Sequence, residues 1–347
     1  MIKSLLFVLL ATSVQAATWD SANDPSRFDL NSDYEYHLDK LPLKAQLRTI
    51  PWSETYWPSF RGGINARWNT PEHDGFQYTP PTREQSASMT LAELAKLSPS
   101  EKYDLFMGNY QYPLWTEVRR FANPNAGEWS GLCDGWAMAA IQYAEPQALT
   151  LPNPDGILIP FGSSDVKGLM TYAAEFHFRR TTVQVGRACN TDHPQTPEQV
   201  LACADMNPGA LHVILANQIG VKQTGFVVER QPNSEMWNQP TYAYEFALIG
   251  SAASDIPGMR GVQVHATLYY SEDLDESHWE PVTGTTNFHF SKITMDYVLD
   301  LNADGKIVGG SWQAGSDHPD YFWMPTNHLE FEGPLKGLQS VYKPIEH

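Results

Sequence analysis

Apolar residues follow a helical pattern in the first half of the chain. From Met89 onward leucines recur every third residue, and Ser98-Pro-Ser-Glu101 is a capping signal for the helix that follows. A Pro/Asn/Gly-rich turn at 123–127 passes into helix-favouring sequence, which predicts a helix from the region of Cys133 to about Tyr143. Another helix is predicted near Asp165–Phe178.

The second half of the chain has the pattern of strands. Leu211–Asn217 and Gly225–Arg230 are separated by a Gly-containing turn, which predicts an antiparallel pair. Asp304-Gly305 marks a hairpin turn into Lys306-Ile-Val308. Further strands are predicted over segments 241–249, 262–270, 287–293 and 297–301. Helices followed by a mostly antiparallel sheet predict an α+β fold.

Three parts of the chain differ in composition and in hydrophobic periodicity. Residues 1–16 have a basic start, a short apolar run and small residues before a cleavage position, which predicts a signal peptide. Residues 17–84 are rich in Trp and Pro with little periodicity and are interpreted as an irregular N-terminal arm. Residues 85–347 are expected to form the main domain. The expected location is secreted or periplasmic.

The excess of acidic residues limits the classes of molecule that the protein is expected to bind. The chain has 40 Asp and Glu against 23 Lys and Arg, a net charge of −17. Such a surface repels nucleic acid and anionic lipid, so we expect neither as a partner. After the short first apolar run, no stretch reaches the roughly 18 apolar residues of a membrane span, so no membrane insertion is expected.

The three cysteines are an odd number for an oxidising compartment. Cys189 and Cys203 flank a polar segment and are the natural disulfide pair. Cys133 is then left over, and it stands at the predicted start of a helix, where a positive helix end lowers a thiol pKa. This position favours a nucleophile, although a small buried apolar cysteine is the simpler alternative.

Groups that could assist this thiol are found on both sides of it. Free amide groups of the first helical turn could hold an oxyanion, and Trp129 could add its indole N–H, unless it is a core residue. His212 opens a predicted strand and Glu229 lies near the end of the next, so chain order can assemble a Cys-His-acid set. A core histidine and a strand-end carboxylate are the alternatives.

Several short motifs are spread in order over most of the chain. They are Ile50-Pro-Trp…Tyr56-Trp-Pro58, Leu97-Ser-Pro-Ser-Glu-Lys-Tyr-Asp104, Trp129-Ser-Gly-Leu-Cys-Asp-Gly-Trp-Ala137, Leu211-His-Val-Ile-Leu-Ala-Asn217, Phe226-Val-Val228, Trp237-Asn-Gln-Pro240, Gly309-Gly-Ser-Trp312 and His318-Pro-Asp320. These motifs resemble the transglutaminase elicitor family, which was described from secreted oomycete proteins. The resemblance implies that residues 85–347 form a papain-like catalytic domain, with a nucleophile at Cys133 and calcium-dependent protein cross-linking. The Trp237–Pro240 segment resembles the family's surface peptide that plant immune systems detect.

Two further groups of residues compete for roles. His318 with Asp317 and Asp320 is the rival set for base and acid, or else a polar loop packed on Trp312 and Trp323. Asp300, Asn302 and Asp304 stand at the first three ligand positions of a calcium loop, which keeps Ca²⁺ open as a cofactor. Ser311 replaces the closing Glu, so a complete EF-hand is excluded and a plain hairpin turn is favoured.

The expected function is a secreted protein-glutamine γ-glutamyltransferase. Its partners would be proteins with accessible Gln and Lys, joined through a Cys133 thioester. The same chemistry on a backbone amide or with water gives the alternatives of a papain-like cysteine protease, an amidase or a deamidase. A non-catalytic, elicitor-like interaction protein is a further alternative.

Overall fold

The computed structural model describes residues 19–67, 75–187, 196, 206–230, 235–274 and 288–345. Its helices are α1 (Arg83–Ser88), α2 (Leu91–Leu94), α3 (Pro99–Phe106), α4 (Pro113–Phe121), α5 (Cys133–Gln142), α6 (Ser163–Tyr172), α7 (Pro208–Leu215) and α8 (Leu338–Val341). Its strands are β1 (Lys44–Gln46), β2 (Leu149–Pro152), β3 (Leu158–Phe161), β4 (Thr182–Gly186), β5 (Val227–Glu229), β6 (Asn238–Ala252), β7 (Arg260–Glu272), β8 (His289–Leu301), β9 (Ile307–Trp312) and β10 (Tyr321–Pro325). Among these residues no helix is long and apolar enough to cross a membrane.

The strands form one main antiparallel sheet in the order β4-β10-β5-β6-β7-β8-β9, with β1 added to β6. Strands β2 and β3 make a separate hairpin. Helices precede most of the sheet along the chain, so the predicted combination of helices with an antiparallel sheet is confirmed.

Two apolar clusters hold the fold together. The first joins α7 to the main sheet, and the second lies among α3 to α6 and includes Trp136. The N-terminal arm contributes to both, since Phe28 belongs to the first and Trp52 and Trp57 to the second. Helix α5 packs against α6 on one side and against β6 on the other, so its first residue lies between helices and sheet.

Local signals explain where several elements begin. The Ser98 hydroxyl oxygen accepts a hydrogen bond from the Glu101 amide, and the Glu101 carboxylate accepts one from the Ser98 amide. The predicted capping box therefore starts α3. Helix α5 ends at Gln142, close to its predicted end. Strand β8 runs without a break from His289 to Leu301, where two shorter strands were predicted.

The predicted strand at Leu211–Asn217 is wrong, and so is the antiparallel pair built on it. The segment forms helix α7, because Asn207 caps it through the amides of Gly209 and Ala210 and Pro208 occupies its first turn. All eight residues of α7 are buried. A helix that is apolar on every side has no helical periodicity, so its Val-Ile run looks like a strand.

Candidate active site

Cys133 is the first residue of α5, as the turn-to-helix pattern predicted. The amide of Leu132 donates to the carbonyl of Tyr56 at 2.6 Å, which anchors the helix start to the N-terminal arm. A Cβ at Gly135 would overlap the carbonyl oxygen of Thr171, so only glycine lets α5 approach α6 this closely. These contacts hold the thiol at the junction of helices and sheet, where Cys133 is 7% exposed.

The thiol faces polar groups from α5 and from the start of β6. Its Sγ lies 3.6 Å from Asp134 Oδ1 and 3.7 Å from the carbonyl oxygen of Met236, either of which can accept the S–H proton. The backbone N–H of Asn238 donates to the sulfur. The polypeptide at 236–238 therefore lies directly over the reactive atom.

The electrostatic surroundings oppose ionisation of the thiol. Burial raises the pKa of Cys133 well above its usual value, and the carboxylates of Asp134 and Glu175 raise it further. These effects outweigh the N–H of Asn238, which lowers the pKa. The sequence-based expectation of a lowered pKa considered only the helix end, whereas desolvation and two nearby carboxylates decide the direction here.

Asp134 is held in place by partners that are distant in sequence. Asn238 Nδ2 donates to Asp134 Oδ1 at 2.7 Å, and Trp323 Nε1 donates to Asn238 Oδ1 at 2.7 Å. Arg180 contacts Asp134 at 3.4 Å and Glu175 at 3.5 Å. Asp134, Asn238, Arg180 and Glu175 were not predicted from the sequence as catalytic residues. Asp134 and Asn238 lie within the motifs that carry the family resemblance, whereas no sequence signal marked Arg180 or Glu175.

Glu175 forms an acidic pair with Asp134 beside the thiol. Burial and the charge of Asp134 raise the pKa of Glu175 to about 7, although Arg180 and the donated N–H of Gly135 lower it. A carboxyl that titrates near neutrality can exchange a proton at physiological pH. The acidic pair therefore provides both negative charge and a proton-exchanging group next to Cys133.

Glu229 reaches the same region from the sheet. It lies at the end of β5, is 1% exposed, and its Oε1 accepts the amide of Trp237 at 3.1 Å. Residues 236–238 thus contact Cys133 through the carbonyl of Met236 and the amide of Asn238, and contact Glu229 through the amide of Trp237. Glu229 therefore lies against the segment that covers the thiol and holds its backbone through the amide of Trp237.

His212 has the surroundings of a core histidine. It lies inside α7 with no exposed surface, its Nδ1 is 2.8 Å from the hydroxyl of Tyr297, and its ring stacks on Phe246. Its Nε2 is buried without a hydrogen-bond partner. Because its contacts Phe246 and Tyr297 belong to the apolar cluster of the sheet, His212 has no role in the mechanism proposed below.

We expect His212→Phe to leave alkylation of Cys133 unchanged. The variant keeps ring packing but removes the partner of the buried Tyr297 hydroxyl, which costs about 1–3 kcal/mol of unfolding free energy. Iodoacetamide labelling and chemical denaturation measure the two effects. A folded variant with a silenced thiol, beside a fully reactive His318→Ala control, would show that His212 acts on Cys133.

The stability of the protein should fall in acid because of His212. Burial lowers the pKa of His212 to about 3, below its usual value of 6.5. As the pH falls from 6.5 toward 3, the unfolded chain gains a proton that the native state does not, so native stability decreases by up to about 1.4 kcal/mol per pH unit. Wild type should lose about 1.6 kcal/mol more than His212→Phe between pH 6.5 and 5 in urea titrations. Equal losses would contradict the burial of a neutral ring.

The alternative base and acid residues, His318 with Asp317 and Asp320, lie in the loop between β9 and β10. His318 stacks on Trp312 with ring centres 4.9 Å apart, and its Nδ1 lies 3.0 Å from the carbonyl of Ser316. Asp317 accepts the amide of His318. Asp320 is buried, and its amide donates to the carbonyl of Glu229 at 3.3 Å, so this loop is tied to the end of β5.

Trp129 folds back on its own loop. Its indole nitrogen lies so close to Gly127 that a Cβ there would be 3.0 Å away. An oxyanion role for Trp129 remains a prediction. Cys189 and Cys203 lie outside the described residues, as do residues 1–16, so the disulfide and the signal peptide also stay predictions. Within the described part of the chain, Cys133 is a free cysteine.

The expected calcium ligands serve a hairpin turn. Asn302 Oδ1 accepts the amides of Asp304 and Lys306, and Asp300 Oδ1 accepts the hydroxyl of Ser254. Over the described residues, no group of three or more His, Cys, Asp or Glu side chains is placed to hold a metal ion. The side-chain oxygens of Asp300 and Asn302 thus accept hydrogen bonds that hold the turn, and calcium binding by Asp300, Asn302 and Asp304 remains a prediction.

The segment that resembles a surface peptide is mostly inside the protein. Asn238 is 1% exposed, Gln239 has no exposed surface, and Pro240 is also buried. Trp237 is partly buried against the ring of Tyr56, 5.4 Å away. Trp237 is the one residue of the segment that is not buried, and the exposed Met236 immediately precedes it.

The fold and site define a transglutaminase-like α+β protein with a thiol between a helix and an antiparallel sheet. The protein belongs to the transglutaminase elicitor family, whose model matches residues 27–79, 119–256 and 259–336. Its structure is similar to the crystal structure of the GP42 transglutaminase from Phytophthora sojae, with a TM-score of 0.68. That similarity covers 91% of this chain and 93% of the other at 18% identity, which shows the fold. A search of curated proteins gave no match.

Proposed function

We propose that the protein is an exported protein-glutamine γ-glutamyltransferase. The observation that carries the proposal is the Cys133 thiol at the start of α5, with the Asp134 carboxylate 3.6 Å away, inside a segment matched by the family model. Membership of the family supports acyl transfer, and the acidic pair supports an amine as the acceptor. The signal-like residues 1–16 support export.

The first half-reaction forms a thioester. As Sγ attacks the side-chain amide carbon of a protein glutamine, the S–H proton moves to Asp134, the carboxylate nearest to it. Asn238 and Arg180 hold Asp134 in position for this transfer. The proton then passes to the leaving nitrogen, ammonia departs, and the glutamine acyl group remains on sulfur.

The second half-reaction consumes an amine. The negative acidic pair attracts the ammonium group of a lysine, which must lose a proton before it attacks. Glu175 is suited to accept that proton because its pKa is about 7. Attack on the thioester carbon forms the isopeptide bond and returns the thiol. Water in place of the amine would give deamidation.

The glutamine must displace the polypeptide that covers the thiol. Residues 236–238 are held by the bond from Trp237 to Glu229 and by the ring of Tyr56. Residues 236 and 237 are outside regular structure, so this cover has few backbone bonds to break. Opening at Met236 would free the sulfur on the side away from α5.

One assay tests the proposal. The protein is incubated with a glutamine-rich protein and a fluorescent primary amine, with and without Ca²⁺, while incorporation and ammonia release are followed. We expect incorporation matched by ammonia. Ammonia without incorporation would indicate a deamidase, and new peptide termini would indicate a protease. Absence of all three, with a thiol as unreactive as a model thiol, would contradict the enzymatic function.

We expect Asp134→Asn to lower amine incorporation by on the order of 10²-fold, because the nearest proton acceptor is lost. Alkylation of Cys133 should instead become faster at neutral pH, since removal of the negative charge lowers the thiol pKa. Steady-state kinetics and iodoacetamide labelling measure the opposite changes. Asp255→Asn, at an exposed position between β6 and β7, is the matched control and should change neither rate. Parallel losses of both rates would contradict the role of Asp134.

A further inference from the structure

A pocket with aromatic walls lies beside the segment that leads into Cys133. It has a volume of about 160 Å³. Its walls include Trp57, Val118, Phe121, Leu132, Tyr172 and Phe176. Leu132 immediately precedes the nucleophile, so one wall of the pocket is the residue next to Cys133 in the chain. None of the steps described above uses it.

The rim of the pocket is unusually apolar for a surface. Phe121 is 52% exposed and Phe176 is 41% exposed, and their rings stack at 5.0 Å. Tyr172 extends the aromatic wall inward, 4.7 Å from Phe176. Contiguous exposed apolar groups mark binding surfaces, whereas singly scattered ones do not. A dry cavity of about 150 Å³ is known to accept benzene, so this pocket has the size for one aromatic ring.

The inner wall is built at a local energetic cost. Trp57 has φ of 52°, in the left-handed region that a bulky residue rarely adopts. Its indole lies against Gly168, where any Cβ would overlap the ring, so glycine there is needed to seat it. Strained conformations of this kind cluster at functional sites because the surrounding structure must impose them. Trp57 therefore forms a rigid wall of the pocket, seated against Gly168 of α6.

We infer that this pocket binds an aromatic side chain of the acyl-donor protein and thereby selects which glutamine reaches Cys133. The inference rests on the proposed function and specifies its donor. Three consecutive residues, Ser130 to Leu132, line the pocket and lead to the nucleophile. An extended substrate advances about 3.3 Å per residue, so the aromatic residue would lie roughly two to four positions from the glutamine.

The test uses peptides with one glutamine in a Gly/Ser background. Each carries a single phenylalanine, or alanine as reference, one to four residues to either side. Amine incorporation gives kcat/KM, and fluorescence anisotropy with the Cys133→Ala protein gives binding without turnover. We expect phenylalanine at one position to raise both by about tenfold or more over alanine, the scale of hydrophobic pocket discrimination.

Two variants assign this preference to the pocket. Phe121→Ala removes the rim, and Val118→Phe fills the floor, with thermal melting to show that each variant is folded. Both should reduce the preference to within about twofold of alanine. The matched control is Phe290→Ala on β8, which removes a phenylalanine of similar exposure, 48%, and should keep the preference.

The outcomes separate the pocket from the chemistry. One outcome is that the protein binds phenylalanine peptides preferentially, both folded variants lose this preference, and no incorporation or ammonia release is seen. That outcome would support the pocket and contradict the transferase function. Turnover and binding that do not distinguish phenylalanine from alanine at any position would overturn the pocket inference and leave the transferase intact. A preference that survives in both folded variants would also overturn it.

Discussion

Cys133→Ser is expected to abolish amine incorporation and ammonia release together. A hydroxyl is far harder to ionise than a thiol, and the site already disfavours charge on this side chain. Serine is close to cysteine in size, so packing against Met236 and Asn238 should be retained. The measurement is the initial rate of fluorescent-amine incorporation by purified protein.

Thermal melting is the control for this variant, because the loss has meaning only in folded protein. The thiol must also be assigned chemically, by mass spectrometry of the peptide labelled with a thiol-directed probe. Residual incorporation above about a tenth of wild type in a folded Cys133→Ser protein would show that another residue is the nucleophile.

Lys102→Met is expected to lower the unfolding free energy by about 3–5 kcal/mol. Lys102 Nζ lies 2.6 Å from Asp165 Oδ2, and both side chains have no exposed surface. Removing the cation leaves a buried carboxylate without its counter-charge, although Asp165 still caps α6 through the amide of Gly162. Urea denaturation measures the change.

Lys96→Met provides the matched control, because Lys96 is exposed and should change stability little. The double variant Lys102→Met/Asp165→Asn should recover part of the loss, since the unpaired charge is removed as well. A loss of under about 1 kcal/mol in the single variant would mean that the pair is not buried as described.

Elements with complete local signals were predicted well. Helix α3 begins at its Ser98–Glu101 capping box, and the Asp304-Gly305 turn connects β8 to β9. These features depend on bonds between residues within about four positions of each other, so the sequence alone contains them.

Elements decided by burial were predicted poorly. Helix α7 is apolar on all sides, so the period that distinguishes a helix from a strand is absent, and only its Asn207 cap marks the true start. The predicted strand was part of the reasoning that grouped His212 with Cys133. In the structure His212 lies on helix α7 instead, and its Nδ1 is 2.8 Å from the hydroxyl of Tyr297 on β8.

By itself, the sequence determined the class of protein, the helix-then-sheet order and the position of Cys133 at a helix start. Turn residues and helix caps depend on neighbours in the chain, and the odd number of cysteines is a simple count, so the sequence alone contains all three signals. Only the tertiary structure decided what surrounds the thiol: Asp134 and Glu175 on one side, and Met236 and Asn238 over it. These groups meet because α5 packs between α6 and β6, and the resulting burial and charge reverse the pKa shift that the helix end alone predicts.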